Sequence, residues 1–141
     1  YDITVPAPVE VRGSGSGPYQ VDEYPWQEIY PDALTGDFYQ DLADAAYTQY
    51  VWTSDSSVLG VRTWEEYSAP DIDLGVFFDA NLNGIAELSE PYWTSATGGS
   101  SEGLEIIDPM DGLWIIKVLG YSVTDWPGYF SMEVWTGAKR S

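Results

Sequence analysis

The oxygen-bearing side chains between Asp79 and Glu90 are spaced for chemistry. Asp79, Asn81, Asn83, Gly84 and Glu90 fit the twelve-position calcium-loop pattern D-x-[DN]-x-[DN]-G-x5-E. In such a loop Asp79, Asn81 and Asn83 supply side-chain oxygens and Gly84 makes the sharp turn. Ile85 gives its carbonyl, Glu87 binds directly or through water, and Glu90 closes the shell with both carboxylate oxygens. The logic is coordinative: a hard divalent cation wants six to eight oxygens at roughly 2.3–2.6 Å, which only a coiled, oxygen-rich segment delivers locally. The competing interpretation is a plain hairpin, because Asn83-Gly84 is also the preferred pair for a two-residue primed turn. No helix signal flanks the loop, so any metal is held on a β scaffold. There Pro91 favours an extended Glu90, and Glu87 is expected to take the closing role at least as well as Glu90.

Asp71 and Asp73, two residues apart on one strand face and about 7 Å from each other, are candidates to hold a second cation between them, the competing interpretation being a solvated outer face. Asp108 and Asp111 look like turn formers. Asp125 and the acids Asp22, Glu23, Glu28, Asp32 and Asp37 are further oxygen donors that a site built across the fold can recruit. Two carboxylates flanking a bond would suffice for a glycosidase, but in a chain with 23 acids such pairs arise by chance.

Composition narrows the remaining chemistry. The 141 residues contain no His and no Cys, which excludes Ser-His-Asp and Cys-His catalysis, disulfides and thiolate metal sites within this chain. The chain reads as a non-enzyme. Its 23 acids against 5 bases give a net charge of −18, so nucleic acid and anionic membranes are poor partners and cations good ones. No apolar run is long enough for a membrane span. The start at Tyr1 suggests a processed product or a domain of something larger. Seven Trp and eleven Tyr are more than a core this size buries comfortably. Trp114 is assigned to the core, whereas Trp26, Trp93, Trp126 and Trp135 are candidates for an exposed patch.

The elements that position these residues are strands. Ile72, Leu74, Val76 and Phe78 alternate with Asp71, Asp73, Gly75 and Phe77, a period of two that sends the first set inward and most of the second to water. Segments 47–53, 58–66, 92–95, 104–107, 113–119 and 129–135 are also predicted strands, divided by turn chemistry such as Ser54-Asp-Ser-Ser57. Tyr1 to Arg12, interrupted by Pro6 and Pro8, suits an edge strand. Residues 13–46 are expected to be a long acidic, aromatic loop, with one helical turn at 41–46. About eight short strands and no amphipathic helix predict one all-β domain over 1–141, an antiparallel jelly-roll sandwich.

Three segments resemble the bacterial and archaeal pre-peptidase C-terminal domain, a β jelly roll appended to secreted subtilisin-like and other peptidases. Asp71-Ile-Asp-Leu-Gly-Val-Phe-Phe-Asp79 is similar to its D-L-D-L strand and following turn. Asp108-Pro-Met-Asp-Gly-Leu-Trp-Ile-Ile-Lys-Val118 is similar to its P-x-x-G-x-Y-x-I-x-V turn and strand, and Gly128-Tyr-Phe-Ser-Met-Glu-Val134 to its closing strand. The likeness covers about residues 46–136. It implies an extracellular or cell-surface, non-catalytic, calcium-binding accessory domain that stabilises a parent hydrolase in the same polypeptide or attaches it to substrate or cell surface. The rival expectations are a module binding polysaccharide or matrix protein, and a structural domain of a cell-surface layer.

Overall fold

A computed structural model describes residues 16–139 of the chain. Eight strands and one short helix follow in the order β1 (Ser16–Ile29), α1 (Phe38–Ala43), β2 (Tyr47–Thr53), β3 (Ser56–Tyr67), β4 (Asp71–Phe78), β5 (Tyr92–Ser95), β6 (Glu102–Ile107), β7 (Gly112–Ser122) and β8 (Gly128–Lys139). They form two four-stranded sheets, β1-β8-β3-β6 and β2-β7-β4-β5. Every pairing is antiparallel. The partners β1–β8, β2–β7, β3–β6 and β4–β5 nest one inside the next, which is the topology of a long hairpin rolled into a sandwich. The expected all-β jelly roll is what the chain forms.

Period-two alternation fills the space between the sheets. Ile72, Leu74 and Val76 of β4 meet Leu59 and Val61 of β3 and Phe130, Met132 and Val134 of β8, all at most 1% exposed. Trp114 lies among them, fully buried, its Nε1 donating to Thr53 Oγ1 and to the Met110 carbonyl at 3.0 Å each. A buried indole needs such an acceptor, since an unmet N–H costs about 1–3 kcal/mol.

Two expectations change. The segment 13–46 is not one long loop, because residues 16–29 form the edge strand β1 and Phe38–Ala43 forms α1. Sequence periodicity fails here because Val21, Asp22 and Glu23 are all exposed and no apolar face develops. Pro25 and the positive φ of Trp26 then break the ladder between Tyr24 and Gln27. The strand expected over 1–12 lies outside the described residues. The second correction concerns β4, where Asp73, Gly75 and Phe77 do not face water. Helix α1, capped by Asp37, lies over Gly75 and Phe77, and Leu42, Ala43 and Ala45 make a second small core with Phe77, Ile115 and Leu119. Gly75 permits the contact, since a Cβ there would come within 2.8 Å of the Leu42 side chain.

The Trp114 contacts set the expected cost of disturbing the sandwich. Trp114→Ala should lower unfolding free energy by about 3–5 kcal/mol. Trp114→Phe, which keeps most volume and leaves the Thr53 hydroxyl donating to the Met110 carbonyl at 2.8 Å, should cost clearly less than Trp114→Ala. Urea titration of both variants checks the ordering.

Candidate metal centre

The loop after β4 is tied at its base: Phe78 N donates to the Pro91 carbonyl and Asp79 N to the Leu113 carbonyl, both at 2.9 Å. Since β4 ends at Phe78 and β5 begins at Tyr92, Asn83-Gly84 does not join two strands directly, and the two-residue hairpin is ruled out. The chain instead coils. Leu82 and Gly84 take positive φ values of 56° and 76°, and Leu82 N bonds back to the Asp79 carbonyl at 3.2 Å. Ala86, 5% exposed, anchors the return path in the small core beneath α1, with Leu88 packed against it.

Asp79, 1% exposed, is the centre of this coil. Its Oδ1 accepts from Asn83 N at 3.2 Å and its Oδ2 from Gly84 N at 2.7 Å. Asn81 Oδ1 also accepts from Asn83 N, and Asn83 Oδ1 from Ile85 N at 2.9 Å. From the far side, Glu90 Oε2 accepts from Asn81 N at 3.0 Å and Glu87 Oε1 from Asn81 Nδ2 at 3.1 Å. All six residues expected to form the loop site, Asp79, Asn81, Asn83, Ile85, Glu87 and Glu90, are therefore linked by one connected set of hydrogen bonds.

Glu90, the residue before Pro91, reaches back to Asn81 N. A turn, Glu90 N to the Glu87 carbonyl at 3.2 Å, swings its carboxylate back over Asn81. Its Oε1 is left buried with no partner. A carboxylate oxygen removed from water and given no donor is costly unless a cation meets it. Of the two closing candidates, Glu90 thus holds the free oxygen. Neither ion pair found among the described residues, Arg62–Glu133 and Lys139–Asp108, involves the loop. Nor do three His, Cys, Asp or Glu side chains gather closely enough among those residues to hold an ion by themselves. A cation here would depend on the Asn amides and main-chain carbonyls, the donor set that calcium accepts.

Tyr50 of β2 also touches the site, donating its hydroxyl to the Gly84 carbonyl at 2.9 Å. Sequence reasoning missed it because 34 residues separate the pair and no local pattern links them.

Asp71 and Asp73 have a different setting. Asp73 is 3% exposed, and burial pushes its carboxyl up to about 7, the charges of Asp71 and Glu102 adding to the shift. Asp71 is raised by burial and by Glu102, and its Oδ1 is buried without a partner. Glu102, which the sequence did not single out, belongs to β6 of the other sheet. It is held by Ser95 Oγ, Thr97 N and Thr97 Oγ1. The remaining acids serve turns and joints. Asp111 accepts from Asp55 N, Asp125 from the Tyr67 hydroxyl, and Asp32 from Gly120 N, while Asp108 sits in a turn at φ 51°. Asp22, Glu23 and Glu28 lie along β1.

Asp73 makes stability depend on pH. The unfolded chain gives up this proton near the ordinary 3.8, the folded chain only near 7. Between those values the native state binds more protons, so stability falls as pH rises, with a slope of at most about 1.4 kcal/mol per unit. Asp73→Asn should flatten that slope between pH 5 and 8 and leave the variant more stable than wild type at pH 8. Denaturant unfolding across that range tests it, and an unchanged slope contradicts it.

No family model matches the chain, and no curated protein matches it. Among solved structures it is similar to the SPBc2 prophage-derived protein YomS, at 10% identity, TM-score 0.44, covering 85% of this chain and 95% of that one. It is also similar to a chain of the Bacillus endospore appendages that form disulfide-linked pili, at 14% identity, TM-score 0.36, covering 99% and 100%. A third likeness, to the cyanophage Pam1 capsid, has 18% identity and TM-score 0.34 over 98% and 94%. At such TM-scores these likenesses assign no role.

Proposed function

We propose that this chain is a non-catalytic, calcium-stabilised β-sandwich module of an extracellular or cell-surface protein, appended to a hydrolase of the subtilisin-like class. The observation behind the calcium is the Asp79–Glu90 loop, whose Glu90 Oε1 is buried without a partner on a carboxylate tied through Asn81 to the hydrogen-bonded coil of Asp79, Asn83 and Glu87. Calcium is favoured over magnesium because the expected donors are carboxylate, amide and main-chain oxygens spread along twelve residues, a larger and more irregular set than a compact octahedron. Two side-chain amides in place of carboxylates suit the weak, roughly 10⁻⁴–10⁻³ M affinities of extracellular modules. The link to a peptidase is supported by the three-segment resemblance, and the lack of His and Cys supports a non-catalytic role.

Calcium should raise the melting temperature by mass action, about 2.7 kcal/mol at a hundredfold excess over the dissociation constant. Magnesium, or sodium at matched ionic strength, should do much less. In calorimetric titration Asp79→Ala should remove one calcium equivalent. Glu90→Gln should weaken binding about tenfold, near 1.4 kcal/mol, and more than Glu87→Gln. Equal stabilisation by magnesium would reduce the effect to general screening of the acidic surface.

A further inference from the structure

On the sheet opposite the calcium loop, Trp26 is held in an unfavourable way. It occupies the irregularity in β1 between Tyr24 and Gln27 at φ 49°, a region that bulky side chains rarely enter. Its indole is nevertheless 57% exposed. The position is pinned: Trp26 N donates to Ser131 Oγ at 3.1 Å, Ser131 Oγ donates to Glu66 Oε2 at 2.6 Å, and Trp64 Nε1 donates to the same oxygen at 3.1 Å. Burial of Trp26 therefore does not explain the strain.

The result is a notch. The Trp26 and Tyr129 rings lie 5.7 Å apart and tilted by 53°, so their faces diverge instead of forming a flat platform. Tyr67, 49% exposed, pairs with Tyr129 across the ladder and shares its face. Carboxylates border the aromatics on two sides, Glu28 in register with Tyr129 and Asp125 bound to the Tyr67 hydroxyl at 2.7 Å. Angled rings with acids at their edge complement a cation. The chain already uses this chemistry on β3, where the Arg62 guanidinium sits 4.8 Å over the Trp64 ring while pairing with Glu133.

The geometry points to the Trp26–Tyr129–Tyr67 notch as a binding site for a Lys or Arg side chain of a basic protein partner. The net charge of −18 brings such a partner in and repels anionic ones. The site is separate from the calcium loop, so its failure leaves the calcium reading intact.

The test is calorimetric titration of the chain with acetyl-Gly-Arg-Gly-Arg-Gly-amide and with the same peptide carrying citrulline in place of Arg. A neutral oligosaccharide, cellohexaose, is run alongside. The Arg peptide should bind and weaken with added sodium chloride, while the citrulline peptide and the sugar should not bind. Trp26→Ala should lower affinity at least about tenfold and Trp26→Phe should restore most of it. Trp52→Ala, an equally exposed indole on β2 of the other sheet, should bind as wild type. Equal binding of the citrulline peptide, binding of cellohexaose in place of the Arg peptide, or unchanged affinity in Trp26→Ala overturns the assignment.

Discussion

The constraint that governs this molecule is a surplus of carboxylates with almost no cations to meet them. Of the 23 acids only Glu133 and Asp108 are seen in ion pairs among the described residues, the second at 3.9 Å. Where acids are buried, the backbone supplies the donors. Asp79 takes the N–H groups of Asn83 and Gly84, Asp41 those of the Thr35 main chain and hydroxyl, and Glu102 those of Thr97. Hydrogen bonds to a charged acceptor contribute roughly 1.5–3 kcal/mol each. Each such acid thereby becomes a pin that fixes an irregular segment to the sandwich.

The same constraint separates structural acids from functional ones. A carboxylate met by N–H and O–H donors shapes its loop, as Asp79 does for Asn83 and Gly84, and each of its oxygens keeps a further lone pair for another partner. Glu90 Oε1 and Asp71 Oδ1 are buried and unmet, so each implies something more. For Glu90 the other carboxylate oxygen meets Asn81 N in a coil closed at its base, and the unmet one is the reason a calcium ion is proposed there. For Asp71 the neighbours are Asp73 and Glu102, and a proton on Asp73 already relieves much of their repulsion near neutral pH.

From Tyr47 onward the strands were legible because each alternates or is uniformly apolar, and β2 and β5 fall where turn residues bound them. The hydrogen-bonded coil of Asp79–Glu90 was legible for a similar reason, its partners being local. What could not be read is long-range. The edge strand β1 shows no buried face until Tyr24, so nothing in its pattern marks it. Burial of Phe77 and Gly75 depends on α1 folding back over sheet β2-β7-β4-β5, and Tyr50 and Glu102 reach their sites from other strands. Where the Glu90 carboxylate points was not legible either, because Pro91 restrains the backbone of Glu90 and not its side chain, which meets Asn81 N.

A crystal structure grown in calcium chloride, with anomalous data collected at long wavelength, tests the central claim most directly. It should show one anomalous peak enclosed by Asp79, Asn81, Asn83, the Ile85 carbonyl and Glu90, with oxygens at about 2.3–2.6 Å and the free Glu90 oxygen turned onto it. A loop with no peak, in which Glu87 and Glu90 still hold Asn81 as they do here, would contradict it.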